Sequence, residues 1–145
     1  MLTINKTLAY EDQPAITLLT MAVWGEARGQ SYGAKLAVAH TIINRANKPC
    51  WWGRTLKQVL LKPYQFSIFN KDDVNYGKLL YADECKAWPA CVDAVQKALV
   101  SREVDPTKGA THFFSGSRLP SWATSPKLKV TRRVGGFTFL APSFR

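Results

Sequence analysis

The chain is poor in the residues that most often build metal and thiol sites. Its 145 residues include two histidines, His40 and His112, and three cysteines, Cys50, Cys85 and Cys91, with no CxxC pair. That inventory is too thin for a structural zinc site, and neither a metal nor another cofactor is expected. Cys85 and Cys91 stand close enough in sequence to pair in an oxidising compartment, but free thiols are the default. No apolar run approaches the roughly 20 residues that span a bilayer. Ala15 to Trp24 is interrupted by Thr17 and Thr20 and stops at Gly25-Glu26, so no integral membrane association is expected. The first ten residues hold one lysine and no continuous apolar segment, and do not read as a secretory signal. Acidic residues are scarce as well. None stands between Pro106 and Arg145, where Lys108, Arg118, Lys127, Lys129, Arg132, Arg133 and Arg145 are all basic.

What is present is a globular balance, 46% hydrophobic against 21% charged, in a length suited to one domain over residues 1–145. Twenty basic against ten acidic residues give a net charge of +10. Such a surface concentrates a protein on polyanions, and salt weakens the attraction. Nucleic acid, an acidic membrane surface and an anionic cell-wall polymer all qualify, and charge alone does not choose among them.

Apolar residues at Ile16, Leu19, Ala22 and Val23 recur at helical spacing and predict a helix from Pro14 to about Arg28. A second helix fits Tyr32 to Arg45, stopped by Asn47-Lys48-Pro49. Thr55 can cap a short third helix through Leu61. Tyr64 to Ala87 has turn residues and scattered aromatics without a period, and reads as loop. Pro89 opens a last helix through Val100. Beyond it, Ala110–Phe114 reads as a strand, and Val130–Val134 with Phe137–Leu140 as a hairpin in which Gly135 and Gly136 supply the positive φ of a tight turn. The expected architecture is α+β, helices first and a small antiparallel sheet last.

Glu26 falls in step with Leu19, Ala22 and Val23, on the stripe that faces the interior. Burial there disfavours the ionised form, the negative end of the helix dipole adds to this, and a carboxylic acid that stays protonated near neutrality can act as a general acid. The competing interpretation is a structural carboxylate paired with Arg28 or Arg45. Trp51-Trp52, beside Cys50 and Gly53, can wall a groove or cap the edge of a core.

Around Glu26 the sequence Trp24-Gly-Glu26-Ala-Arg-Gly29, followed by Gly33-Ala-Lys-Leu-Ala-Val-Ala39 and Asn44-Arg45, resembles the cell-wall hydrolase family typified by the spore cortex-lytic enzyme SleB. Pro63-Tyr-Gln-Phe-Ser67 is similar to its Q-F-S segment. Asp105-Pro-Thr-Lys-Gly-Ala-Thr-His-Phe-Phe114 is similar to its D-P-T-x-G-A segment with an aromatic strand. The resemblance runs from about residue 18 to 140. It implies a fold like that of lysozymes and lytic transglycosylases. It also implies cleavage of the β-1,4 bond between N-acetylmuramic acid and N-acetylglucosamine of bacterial peptidoglycan, with Glu26 as the catalytic acid. Carried onto this chain, Gln65 and Ser67 become candidates to bind the N-acetyl group or Glu26. His112 is a candidate to contact sugar or orient the acid, and Phe114 and Trp122 form a stacking floor for the sugar. A lytic transglycosylase closes a 1,6-anhydro ring with the muramic acid 6-hydroxyl and needs no second carboxylate, whereas a hydrolase normally does. The loop residues Asp72 and Asp73 are weak material for one, so the transglycosylase outcome is favoured over a hydrolytic muramidase.

Two positions depart from the family's pattern. Phe137 stands where the final strand usually carries His, and Ser115 replaces the Asn that follows the aromatics. The lack of a signal and of a wall-binding domain makes the chain look more like a bacteriophage endolysin than a spore enzyme. Such a protein, expected as a monomer, accumulates in the host cytoplasm and reaches the wall through holin-made lesions, where basic C-terminal residues meet anionic envelope polymers. An N-acetylmuramoyl-L-alanine amidase is the rival on the same substrate, although wall amidases commonly need zinc or a Cys/His pair. A basic nucleic-acid-binding module is the non-enzyme alternative, suggested by His112-Phe113-Phe114 near basic residues. No P-loop, RNP1 or zinc-finger pattern supports it, and no specific nucleic-acid partner is expected.

Overall fold

A computed structural model describes residues 1–63, 65–100 and 104–143. Tyr64, in the expected loop and the Q-F-S segment, and Arg145, in the basic stretch, lie outside the described residues. Among the described residues five α-helices come first: α1 (Ala15–Ala27), α2 (Tyr32–Asn47), α3 (Leu56–Leu61), α4 (Tyr76–Leu79) and α5 (Trp88–Val100). A three-stranded antiparallel sheet follows, made of β1 (His112–Ser115), β2 (Leu128–Val134) and β3 (Phe137–Pro142) in the order β1-β3-β2. This is the α+β arrangement the sequence predicts.

The caps explain most helix boundaries. Pro14 precedes α1 in an extended conformation, Ser31 Oγ accepts from the Ala34 amide at the start of α2, and Thr55 Oγ1 accepts from Gln58 at the start of α3. The sequence stripe on α1 proves too narrow. Every residue from Thr17 to Trp24 is buried, because α2, α3 and α5 all pack against this helix. Thr20 is tolerated in that setting because its hydroxyl donates to the Ile16 carbonyl at 2.8 Å. Glu26 therefore sits where the central helix of the core runs out, not on the inner face of a surface helix.

The expected irregular stretch after α3 is three single turns: 3-10 turns at Ser67–Phe69 and Ala82–Glu84, with α4 between them. The strand expected from Ala110 begins two residues later, at His112. The cause lies in α2, where Asn44 Nδ2 donates to the Ala110 carbonyl at 2.9 Å and Arg45 Nε to the Thr111 carbonyl at 2.6 Å. Those acceptors are taken by a helix rather than by a neighbouring strand. The same clamp accounts for the D-P-T-x-G-A segment. The Asp105 carboxylate accepts from Asn44 Nδ2, the Thr107 amide and hydroxyl, and the Gly109 amide, all within 2.6–2.8 Å. Burial opposes its charge, but these bonds outweigh burial and hold its pKa below the usual carboxylate value. Asp105 thus fixes the approach to β1.

β3 is the central strand and buries Phe137, Phe139, Leu140 and Ala141. It pairs with β1 through His112↔Leu140 and Ser115↔Phe137, and with β2 through a register that slips between Val130 and Arg132. Of the two turn glycines only Gly135 takes positive φ, +56°. That is the pattern of a type II′ turn, rather than the paired positive φ expected from two glycines. All three cysteines are free thiols, with Cys91 in the core and Cys50 and Cys85 exposed.

Candidate active site

Helices and sheet meet at a cleft of about 390 Å³. α1 contributes Glu26 from its last turn and α2 contributes Arg45. The loop after α3 supplies Gln65 and Phe66. Phe113, Phe114 and Ser115 come from β1, Phe137 from β3, and Pro120 and Trp122 from the connection leading to β2. The cleft therefore has a polar helical side and an aromatic sheet side.

Burial raises the pKa of Glu26. Arg45 pulls it back down and Asp73 pushes it up, with burial the largest of the three. The structural alternative of an ion-paired Glu26 is not what the geometry contains. Among the described residues the ion pairs within 4.0 Å are Lys6–Asp83 and His40–Asp105, and neither involves Glu26. Arg28 stacks over Trp24 at 4.2 Å. Arg45 is bound to the Thr111 carbonyl, its guanidinium 5.5 Å from the Trp52 ring and 5.8 Å from the Phe66 ring. Burial depresses the Arg45 pKa to about 10, against the pull of Glu26. A half-buried carboxyl whose surroundings shift it towards its neutral form thus shares the cleft with a guanidinium held by Thr111, able to donate a proton and then be stabilised as the anion.

Gln65 has one committed end. Its Nε2 donates to the Val59 carbonyl, which fixes the orientation of the amide, and its Oε1 is buried with no partner among the described residues. Gln65 therefore brings to the cleft lining an amide of fixed orientation. Phe114 and Trp122 both line the cleft, their rings 6.0 Å apart and edge to face. His112 does not line it. The imidazole lies between Trp52, at 5.7 Å, and Trp122, at 5.3 Å, with Nδ1 2.8 Å from the Thr111 hydroxyl. Burial, reinforced by Arg45, lowers its pKa to about 4, so near neutrality it is an uncharged support behind Trp122. Trp52 is buried beneath the exposed Trp51. Ser67 is exposed and outside the cleft lining. Neither Asp72 nor Asp73 lines it, but the two differ. Asp72 is exposed, whereas Asp73 is half-buried, accepts from the Asn75 amide at 2.8 Å and reaches Glu26 through its field.

Arg45 is the member that sequence reasoning treated only as a possible ion-pair partner. Its signal was a cation one turn from the end of an otherwise apolar helix face, beside the Asn44 that clamps Asp105. The two departures from the family's pattern, Ser115 and Phe137, both line the cleft.

Gly25 explains how the loop reaches Glu26. A Cβ at that position would lie 2.5 Å from Ile68 Cδ1 and 3.2 Å from Ile68 Cβ, so only glycine lets the turn after Gln65 lie flat on α1. Gly25→Ala should gain about 1 kcal/mol of helix propensity. It should lose about 1–3 kcal/mol to overpacking and push Gln65 out of place. Net destabilisation in urea unfolding with a larger fall in activity is expected, and a stabilised, fully active variant would contradict this packing.

Comparison with known proteins places these features in context. The Cell Wall Hydrolase family profile matches residues 29–140. The spore cortex-lytic enzyme of Halalkalibacterium halodurans is 32% identical over 93% of this chain, a span that takes in Glu26 wherever it begins. The chain spans 37% of the length of that relative. Among solved structures, the catalytic domain of the Bacillus cereus SleB protein superposes with a TM-score of 0.67 at 23% identity, covering 94% of each chain. The catalytic domain of the germination-specific lytic transglycosylase SleB from Bacillus anthracis gives 0.63 at 24% identity, covering 94% of this chain and 98% of that one. The fold is that of these catalytic domains.

Proposed function

The chain belongs to the cell wall hydrolase family, and from that premise we propose that it cleaves the β-1,4 bond between N-acetylmuramic acid and N-acetylglucosamine in peptidoglycan as a lytic transglycosylase. The observation that carries this choice is the carboxylate inventory of the cleft: among the described residues lining it, Glu26 is the sole acid. Neutral Glu26 donates its proton to the glycosidic oxygen as the bond to the muramic acid C1 breaks, leaving oxocarbenium character on that sugar. The Glu26 anion, stabilised by Arg45, then takes the proton of the 6-hydroxyl of the same sugar, and that oxygen closes on C1. The proton returns to Glu26, and no water is consumed. Gln65 Oε1 accepts from an N-acetyl N–H or a sugar hydroxyl, and Phe114 and Trp122 pack on the apolar faces of the rings.

Hydrolysis is the second reading, and the position of Asp73 in the field of Glu26 is what favours it. Mass analysis of fragments released from purified peptidoglycan separates the two. Muramic acid ends one water lighter than the hydrolytic product are expected. Reducing ends would transfer the assignment to a muramidase with Asp73 as the base for water, and free peptide stems would replace it with an amidase.

The proposal extends to host lysis by a bacteriophage endolysin made in the cytoplasm and released to the wall through holin lesions. Its support is the net charge of +10 together with the exposed Lys127 and Lys129 on and beside the edge strand β2. Replacing those two residues by Gln is expected to weaken lysis of permeabilised cells at low salt several-fold and to leave cleavage of purified glycan nearly unchanged. Equal losses in both assays would remove the envelope-binding role.

A further inference from the structure

A second cleft, of about 410 Å³, adjoins the first, because Phe114 and Phe137 line both. Its far wall carries Arg133, next to the β2–β3 turn, with Ser117 opposite in the lining. Arg133 is exposed, and while its backbone pairs with Thr138 in the sheet, its guanidinium has neither a hydrogen bond nor an ion pair to another described residue. Nothing in the sheet's packing calls for a cation at that place. Its neighbour Arg132 is equally exposed but lines neither cleft.

The wall that holds Arg133 is fixed. The Gly116 amide donates to the Gly136 carbonyl at 2.9 Å, which ties the end of β1 to the turn. The Gly136 amide reaches Gln30 Oε1 at 3.4 Å. A Cβ on Gly135 would come within 2.7 Å of that same oxygen, so glycine lets the turn sit against the loop after α1. A guanidinium on a pinned hairpin at the edge of a substrate cleft is preorganised to grip a planar anion with two N–H groups.

Resting on the glycan-cleaving function above, we propose that Arg133 binds a carboxylate of the peptide stem on the muramic acid beside the scissile bond. The adjoining cleft is then the stem subsite, and the enzyme prefers stem-bearing glycan to glycan stripped of its peptides. The stem branches from the sugar ring whose glycosidic bond is broken. A cleft that joins the Glu26 cleft through Phe114 and Phe137 offers a branch off the main groove for the stem to enter. The carboxylates of the stem supply the negative charge that Arg133 lacks in the protein.

The test compares kcat/KM of the wild type, Arg133→Ala and Arg132→Ala on peptidoglycan glycan strands and on the same strands after an amidase has removed the stems. Arg133→Ala is expected to lose about tenfold on stem-bearing strands, the low end for a charge-assisted hydrogen bond, and nothing on stripped ones. Arg132→Ala, which makes the same change in net charge, should stay within about twofold of the wild type on both. Equal losses by Arg133→Ala on the two substrates, or equal losses by the two variants, would overturn the subsite and leave a general polyanion surface. Wild-type cleavage of stripped strands keeps the underlying glycosidase function standing when the subsite fails. Absence of cleavage on both substrates would bring down the subsite and the glycosidase function together.

Discussion

Glu26→Gln is expected to lower glycan cleavage by about 10²–10⁴-fold, the range that general acid catalysis contributes. The amide keeps the shape of the carboxyl and cannot give up a proton to the leaving oxygen. The same change is expected to raise stability. Burial lifts the folded-state pKa of Glu26 above its ordinary value, so the folded protein holds this proton more tightly than the unfolded chain. The resulting stability is fully present below the unfolded carboxylate pKa of about 4.3 and is lost as pH rises through the folded value. A glutamine has no such loss. Glu26→Gln should therefore unfold at higher urea than the wild type at neutral pH, and the difference should shrink towards zero on acidification. A variant equally destabilised at both pH values would mean that Glu26 is a structural partner after all.

Arg45→Met carries the second large effect. Methionine keeps an unbranched apolar stem but removes the guanidinium, and with it the charge, the donor to Thr111 and the approach to the Trp52 and Phe66 rings. The orphaned Thr111 carbonyl costs about 1–3 kcal/mol, offset in part because a buried guanidinium no longer has to be desolvated. On the site the direction is unambiguous. Arg45 is what pulls the Glu26 pKa down against burial and Asp73, so its removal should raise that pKa further. The alkaline limb of kcat/KM should move to higher pH, while kcat falls about 10–100-fold because the Glu26 anion formed after proton donation has lost its positive neighbour. A limb that stays in place would show that the two groups are not coupled. His112 provides an independent readout, since Arg45 also depresses its pKa and loss of the charge should let it rise from about 4.

Helix positions were legible because caps and breakers are local: Pro14, Thr55 and the Asn47-Lys48-Pro49 stop act within one turn of themselves, and Ser31, not singled out in the sequence, adds a cap of the same kind. The hairpin was legible from its paired glycines for the same reason. Glu26 stood out because an acid in register with apolar residues contradicts its surroundings unless it has a purpose. The all-round burial of α1 was not legible, since Thr17 and Thr20 read as polar until the helix carbonyls are seen to satisfy a hydroxyl. The walls of the cleft were hidden for a different reason. Phe113 enters through strand register between segments more than twenty residues apart, which also brings in Ser115 and Phe137, known from the sequence only as departures from the family pattern; Pro120 enters through a connection without periodicity, from which only Trp122 was expected. Arg45 was partly visible, as a possible counter-charge. That it would be tied to Thr111 and face the cleft depends on the Asp105 clamp, which only the folded chain assembles.

Glycan cleavage by this cleft requires Glu26 to carry its proton in the free enzyme. The most direct measurement is an NMR titration of the Glu26 carboxyl carbon in labelled protein, set beside the pH profile of kcat/KM on purified glycan. The two midpoints are predicted to coincide, above the ordinary glutamate value, with the profile falling on the alkaline side. A Glu26 that titrates at the ordinary value, or activity that continues unchanged after Glu26 has ionised, would contradict the account.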